Sequence, residues 1–139
     1  YGTIFNKSVV CYTDLTRNLS TVDSCSTHRR TLDSMKVINV RDSIAFKSEK
    51  LNKVSLFDTD NFFCDVYCME PGQFQKVHSH GDSDKVYFVV EGSGKVTVGS
   101  EEKTLKKDEI TIAHAGEDHG VMNDSGGQLV ILVFMAPKP

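Results

Sequence analysis

The chain has 139 residues, of which 39% are hydrophobic and 25% are charged, a composition that suits one ordinary globular domain and excludes collagen-like, coiled-coil and disordered classes. Sixteen Lys and Arg against 19 Asp and Glu give a formal net charge of -3, so we expect neither a nucleic-acid partner nor a membrane partner. The longest apolar run, residues 129–136, is much shorter than the roughly 20 residues of a membrane-spanning helix.

The composition changes near residue 35. Residues 1–34 are rich in Ser and Thr and show no sustained periodicity, which favours an irregular N-terminal extension. Met35 is either a native initiator, with residues 1–34 an appended leader, or an internal residue of a longer native chain. We therefore divide the chain into an extension, residues 1–34, and a domain, residues 35–139. No secretory leader is visible, which favours a cytoplasmic protein.

The domain is predicted to consist of short strands. In residues 62–68 the alternation places Phe62, Cys64, Val66 and Cys68 on one face. Further strands are predicted at residues 74–80, 85–90, 95–98, 109–113 and 128–135.

Turns are predicted between these strands, at residues 91–94 and 99–102 among others. Residues 42–50 form at most a short helix. Many short strands at regular spacing predict an all-β antiparallel barrel or sandwich.

Strand alternation also predicts which side chains enter the barrel. One face carries Phe74, Lys76, His78 and His80, and the inward face of the next strand carries Lys85, Tyr87 and Val89. Tyr87 is a candidate hydrogen-bond donor to a bound ligand; the alternative is a buried tyrosine that is satisfied by the backbone.

Three of the five histidines form a candidate metal site. His78 and His80 are two residues apart on a strand, so both imidazoles project from the same face. His119 supplies a third nitrogen if its strand pairs across the same cavity. Neutral imidazole suits Zn, Fe, Ni, Cu and Mn, so the identity of this divalent transition metal stays open. We call His78, His80 and His119 the three-His cluster.

Two stretches resemble the motifs of the cupin family. Residues 71–92 resemble the first motif, because a Gly is followed by the HxH pair and, after the next strand, by a second Gly. Residues 114–123 resemble the second motif, with a Gly, His119 and an Asn at its spacings and with His114 where Pro is usual. The resemblance covers about residues 36–137. It implies a double-stranded β-helix, or jelly-roll barrel, of about six to eight strands with a metal in its mouth.

Carried over by position, the resemblance makes the three-His cluster the imidazole ligands and places Lys85 where the family has an acidic ligand. An ammonium cannot bind a divalent cation. Three outcomes are open: a three-His site completed by water, a carboxylate from Asp84 or Asp82 through a local bulge, or an anion in place of the metal. If Lys85 faces the metal, burial and like charge lower its pKa, and the neutral amine is a candidate base. Otherwise its ammonium reaches the rim and takes no part in chemistry.

The resemblance leaves two function classes. In the first, the protein is a metal-dependent enzyme, of oxygenase or isomerase type, that acts on a small molecule at open coordination positions. In the second, it is a non-catalytic sugar-binding, small-molecule-binding or sensor protein whose metal is structural or absent.

A partner is predicted from residues 128–135, which are apolar on both faces of the last strand. One face enters the barrel, so the other must also be covered. Cupins commonly pair sheet to sheet, and a homodimer is the expected cover. Packing of residues 36–57 of the same chain over this face is the alternative.

Overall fold

The structure, a computed structural model, describes residues 35–139, so the predictions for residues 1–34 lie outside the described residues. A short 3-10 helix at Val40–Ser43 precedes nine strands. They are β1 (Asn52–Asp58), β2 (Phe63–Met69), β3 (Phe74–His78), β4 (Asp84–Glu91), β5 (Ser93–Val98), β6 (Glu101–Lys106), β7 (Ile110–Ala113), β8 (His119–Met122) and β9 (Leu129–Ala136). Within this part of the chain no helix has the length and apolar character needed to cross a membrane.

The strands form two antiparallel sheets. One has the order β1-β2-β9-β4-β7 and the other the order β3-β8-β5-β6. Strands distant in sequence are neighbours in each sheet, as when β9 lies between β2 and β4. The prediction of an all-β jelly-roll barrel is confirmed.

Two of the nine strands, β1 and β6, were not predicted, and β8 was expected only as a strand at His119 without stated bounds. The predicted turn at residues 99–102 is wrong at Glu101 and Glu102, which begin β6 and pair with Val98 and Thr97 of β5. Strand β6 lies at a sheet edge and buries only Leu105, so it has no apolar alternation to detect. Strand β1 was missed for the same reason, since Leu56 is its one buried residue.

The barrel interior is a continuous apolar cluster contributed by both sheets. Its buried members are Tyr67, Met69, Tyr87, Val89, Val96, Leu105, Val121, Leu129, Ile131 and Val133. Alternate residues of β9 enter this core, as the pattern predicted. Two of its members, Tyr67 and Tyr87, border the polar side chains described below.

The outer face of β2 and β9 is covered by the segment that precedes β1. Ile38, Val40, Ile44 and Phe46 pack on a second apolar cluster formed by Leu56, Cys64, Val66, Cys68 and Val130. Cys64 and Cys68 are therefore buried free thiols outside the barrel cavity. For this region, the structure supports the alternative cover by residues of the same chain.

A homodimer stays a prediction. The outer face of the sheet beyond this cover still carries the exposed side chains Ile110, Ile112 and Phe134. Val86 connects two of them, since it pairs with Ile112 on one side and with Phe134 on the other. Sedimentation velocity would contradict the prediction if it found only a monomer at high concentration.

Gly92 between β4 and β5 is a position where we expect a large effect on stability. Its φ is 81°, and a Cβ at this position would overlap the carbonyl oxygen of Gln128. Gly72 has the same φ of 81° but nothing within 4 Å of its would-be Cβ, so it is a matched control. We expect Gly72→Ala to lower the free energy of unfolding by about 1 kcal/mol through backbone strain, and Gly92→Ala by about 3 kcal/mol or more. Equal losses in urea unfolding would contradict the proposed steric role of Gln128.

Candidate metal centre

The structure brings the three-His cluster together where β3 ends and β8 begins. Each histidine offers one ring nitrogen, and these three atoms all lie within 4.8 Å of one another. His78 ends β3 and is the register partner of His119 at the start of β8, and His80 lies just beyond β3. The ring centroids are 4.6 Å apart for His78 and His119 and 4.9 Å apart for His78 and His80.

A bulge in β3 decides which side chains accompany the histidines. Gln75 pairs with Val121 and His78 pairs with His119, so two residues of β3 are opposite a single residue of β8. Gln75 therefore points into the barrel and is buried, whereas Phe74 is 62% exposed. The predicted inward positions of Phe74 and Lys76 are wrong because the alternation of faces is reset at the bulge.

Backbone carbonyls set the orientation of two of the rings. His78 Nδ1 lies 2.7 Å from the Lys76 carbonyl oxygen, and His119 Nδ1 lies 2.9 Å from that of Glu117. A carbonyl oxygen can only accept, so each Nδ1 carries the proton and donates it, which leaves the Nε2 lone pair free. This is the tautomer that binds a metal through Nε2.

His119 Nε2 is the clearest sign that the site takes a ligand. It is fully buried and has no hydrogen-bond partner among the described residues. A buried polar atom without a partner is unusual in a folded protein and costs about 1–3 kcal/mol. A metal ion bound by the three-His cluster would satisfy it, so the residues present fit a metal.

The electrostatic surroundings of His80 and His119 favour their neutral imidazoles. Burial lowers the pKa of His119 to about 4, and the nearby charges of Lys85, His78 and His80 act in the same direction. Burial also lowers the pKa of His80, together with the charges of His78, Lys85 and Lys53. A neutral ring is the form that binds a metal, so protons compete weakly for these two rings near pH 7.

Lys85 on β4 lies inside the barrel and is 1% exposed. Burial, followed by the charge of Lys53, lowers its pKa to about 8, whereas Asp65 acts in the opposite direction. Its ammonium lies 5.5 Å from the centroid of the Tyr87 ring, and Tyr87 is fully buried as well. Both candidates for catalysis are thus in the interior, as the alternation within β4 predicted.

Gln75 connects Lys85 to a second lysine that the sequence analysis missed. With its amide oxygen toward the lysines, Gln75 accepts hydrogen bonds from Lys53 Nζ and Lys85 Nζ, each at 3.2 Å. The other terminal atom of this amide lies 3.4 Å from the Tyr87 hydroxyl. We call Lys53 and Lys85 the lysine pair.

One acidic side chain accompanies the lysine pair. Asp65 of β2 is half-buried, and burial raises its pKa while the Ser55 hydroxyl and Lys53 lower it. The signal for Asp65 was present in the sequence, since it is a charged residue within the otherwise uncharged strand 62–68. Lys53 gave no such signal, because β1 lacks a recognisable pattern.

Asp84 and His114 lie outside the three-His cluster. The Asp84 carboxylate accepts a hydrogen bond of 2.8 Å from the Ala115 backbone nitrogen and is 3.7 Å from His114 Nδ1. The Gly116 nitrogen in turn donates to the His80 carbonyl oxygen at 2.8 Å. These contacts hold the loop before β8 against the segment that carries His80, so Asp84 has a local role in positioning the mouth.

Comparison with known proteins agrees with this fold. The family described as Cupin_2, Cupin domain, matches residues 65–135. The chain is 35% identical over 75 residues to the tetracenomycin polyketide synthase protein TcmJ of Streptomyces glaucescens, a stretch that covers 51% of this chain and 50% of that protein. It is 30% identical over 78 residues to the uncharacterized protein SCO3923 of Streptomyces coelicolor, covering 56% of this chain and 73% of that one. The chain thus spans half the length of the first relative.

Solved structures show the same architecture. The TT1209 protein from Thermus thermophilus is 39% identical, with a TM-score of 0.74 over 76% of this chain and 100% of that chain. An RmlC-like cupin protein from Desulfovibrio desulfuricans has a TM-score of 0.66 at 24% identity over 75% of this chain and 98% of that chain, a similarity of fold alone. Because the cupin-domain match covers residues 65–135 and the jelly-roll barrel agrees with it, the chain belongs to the cupin family.

Proposed function

We propose that the three-His cluster binds one divalent transition metal ion and that a small molecule binds at this ion in the barrel mouth. The observation that carries the proposal is the buried, unpartnered Nε2 of His119, which lies in a group of three imidazole nitrogens within 4.8 Å of one another. The hydrogen bonds of His78 and His119 to backbone carbonyls support it, because they orient the rings before a metal arrives.

Three protein ligands leave part of a coordination shell free. A bound metal would supply Lewis acidity or redox chemistry at those open positions. The protein's own residues would orient the small molecule and limit its access to water: Lys85, Tyr87 and Gln75 are buried beside the cluster. The Tyr87 hydroxyl would donate a hydrogen bond to it, and Lys85 would donate or accept a proton according to its protonation state.

Elemental analysis of the purified protein, followed by titration with cobalt(II), tests this proposal. We expect one ion per chain and the visible absorption bands of cobalt(II) bound by nitrogen ligands. Iron, copper or nickel in the purified protein would favour oxygenase chemistry, and a zinc site with a closed shell would favour a binding or sensor protein. Absence of saturable binding of any of these metals would contradict the proposal.

A further inference from the structure

The lysine pair lies near the three-His cluster and contributes no atom to its group of candidate ligands. The two Nζ atoms share a single neutral acceptor, the Gln75 amide oxygen, at 3.2 Å each. They also lie over one aromatic face, with Lys53 Nζ at 4.7 Å and Lys85 Nζ at 5.8 Å from the centroid of the Tyr67 ring. Two ammonium groups are thus gathered around groups that carry no formal negative charge.

The lysine pair lacks a matching anion. Among the described residues 35–139, no carboxylate lies within 4.0 Å of either Nζ. The charge of Asp65 raises the pKa of both lysines, but its carboxylate is farther from each Nζ than an ion pair allows. A buried ammonium without an ion partner destabilises a protein, and a Met side chain of similar length would fill the same space without that cost.

A metal in the three-His cluster would increase this imbalance. The ion would bring two more positive charges beside Lys85, whose charge already lowers the pKa of both His80 and His119. One anionic ligand placed between the metal and the lysine pair would relieve both repulsions at once. In the metal-free protein at pH 7, Lys85 lies below its pKa of about 8 and carries the proton that such an anion needs. A bound anion would favour this protonated form and so oppose the effect of the metal.

The approach to the lysine pair is also basic. Lys53 is exposed along part of its length and lines an open groove together with Lys47 and Lys50. A groove lined by like charges raises the local concentration of ligands of opposite charge. Lys53 thus joins an exposed cationic surface to the barrel interior.

We propose that the lysine pair binds the carboxylate of a small organic acid, which is the ligand that the metal site in the barrel mouth accepts. That the same acid is the ligand of the metal site rests on the proposed function, because the metal would bind another oxygen of this acid. A carboxylate matches two ammonium groups that converge on one acceptor, since each of its oxygens can take one charge-assisted hydrogen bond.

Calorimetric titration with malonate and with its uncharged analogue malonamide tests the proposal. We expect one malonate per chain, and an affinity for malonamide at least about tenfold lower, because the amide lacks the charge. Each titration is made with zinc-loaded protein and with chelator-treated protein. Inorganic phosphate serves as a second anion, and binding of phosphate without malonate would overturn the proposal.

Variants show whether the lysine pair is the binding site. Lys85→Met and Lys53→Met should each lower the malonate affinity by about tenfold or more, while Lys107→Met, an exposed lysine on a turn, should change it by less than about twofold. Lys53 is exposed, so its variant is expected to fold and gives a second, independent test of the lysine pair. Unchanged malonate binding in Lys53→Met and in folded Lys85→Met, or no malonate binding by the wild type, would overturn the proposal. Malonate binding that depends on the lysine pair in a protein that takes up no metal would instead refute the metal site alone.

Discussion

Replacing His119 with Ala should lower the affinity for a divalent transition metal by at least about 100-fold, which is about 2.7 kcal/mol of binding free energy. His119 is the buried member of the three-His cluster, and its Nε2 has no other partner among the described residues. Loss even of a residue that only supports a ligand typically costs about 10–100-fold in metal affinity, so loss of a ligand should cost at least as much. Competition with a chromophoric chelator measures the affinity of each variant.

His114→Ala is the matched control for this experiment. His114 lies in the loop that precedes β8, five residues before His119, but it is exposed and its Nδ1 lies near Asp84 rather than in the cluster. We expect its metal affinity to stay within about twofold of the wild type. An equal loss in the two variants would indicate that the loop, rather than the His119 imidazole, controls binding, and would contradict the assignment of His119 as a ligand.

Replacing Lys85 with Met should stabilise the chelator-treated protein by about 2–3 kcal/mol at pH 7. Lys85 is almost completely buried, and burial together with Lys53 lowers its pKa from 10.5 to about 8. The charged ammonium therefore lowers the free energy of unfolding. The Met side chain removes this charge and retains most of the volume. Stabilisation by loss of a charge is unusual for a point mutation, most of which destabilise.

The gain from Lys85→Met should also depend on pH. Between about pH 8 and 10.5 the unfolded chain holds the Lys85 proton while the folded protein releases it, so the wild type gains up to about 1.4 kcal/mol of stability per pH unit. Below about pH 8 both states are protonated and the full cost remains. The difference between variant and wild type should thus shrink as pH rises through this window.

Urea unfolding of both proteins at several pH values measures this difference. Lys107→Met, which removes an exposed lysine, should show neither the gain nor its pH dependence. A lower stability of Lys85→Met at pH 7, or a gain that grows with pH, would contradict the account of Lys85 as an uncompensated buried ammonium. If the gain in stability is found, Lys85 destabilises the folded protein. A role in ligand binding would then explain why a buried lysine stands at this position.

Local patterns in the sequence were sufficient for much of the fold. The alternation in residues 62–68 and the wholly apolar last strand predicted β2 and β9 from local pattern alone, because side chains of a strand alternate between its faces whatever the strand pairs with. The spacing of His78 and His80 likewise places two imidazoles together without reference to the rest of the chain. The inward positions of Lys85 and Tyr87 followed from the same rule, since β4 is regular through both of them.

Tertiary pairing decided the rest of the site. Gln75 points into the barrel because β3 bulges against β8, and a bulge reverses the alternation in a way that single-strand patterns do not record. Lys53 reaches Gln75 because β1 pairs with β2, where Lys53 is directly opposite Tyr67. The sequence by itself therefore determined the barrel, its histidines and the burial of one lysine. The second lysine and its shared acceptor depend on contacts between residues far apart in the chain, and only the register of paired strands brings those residues together.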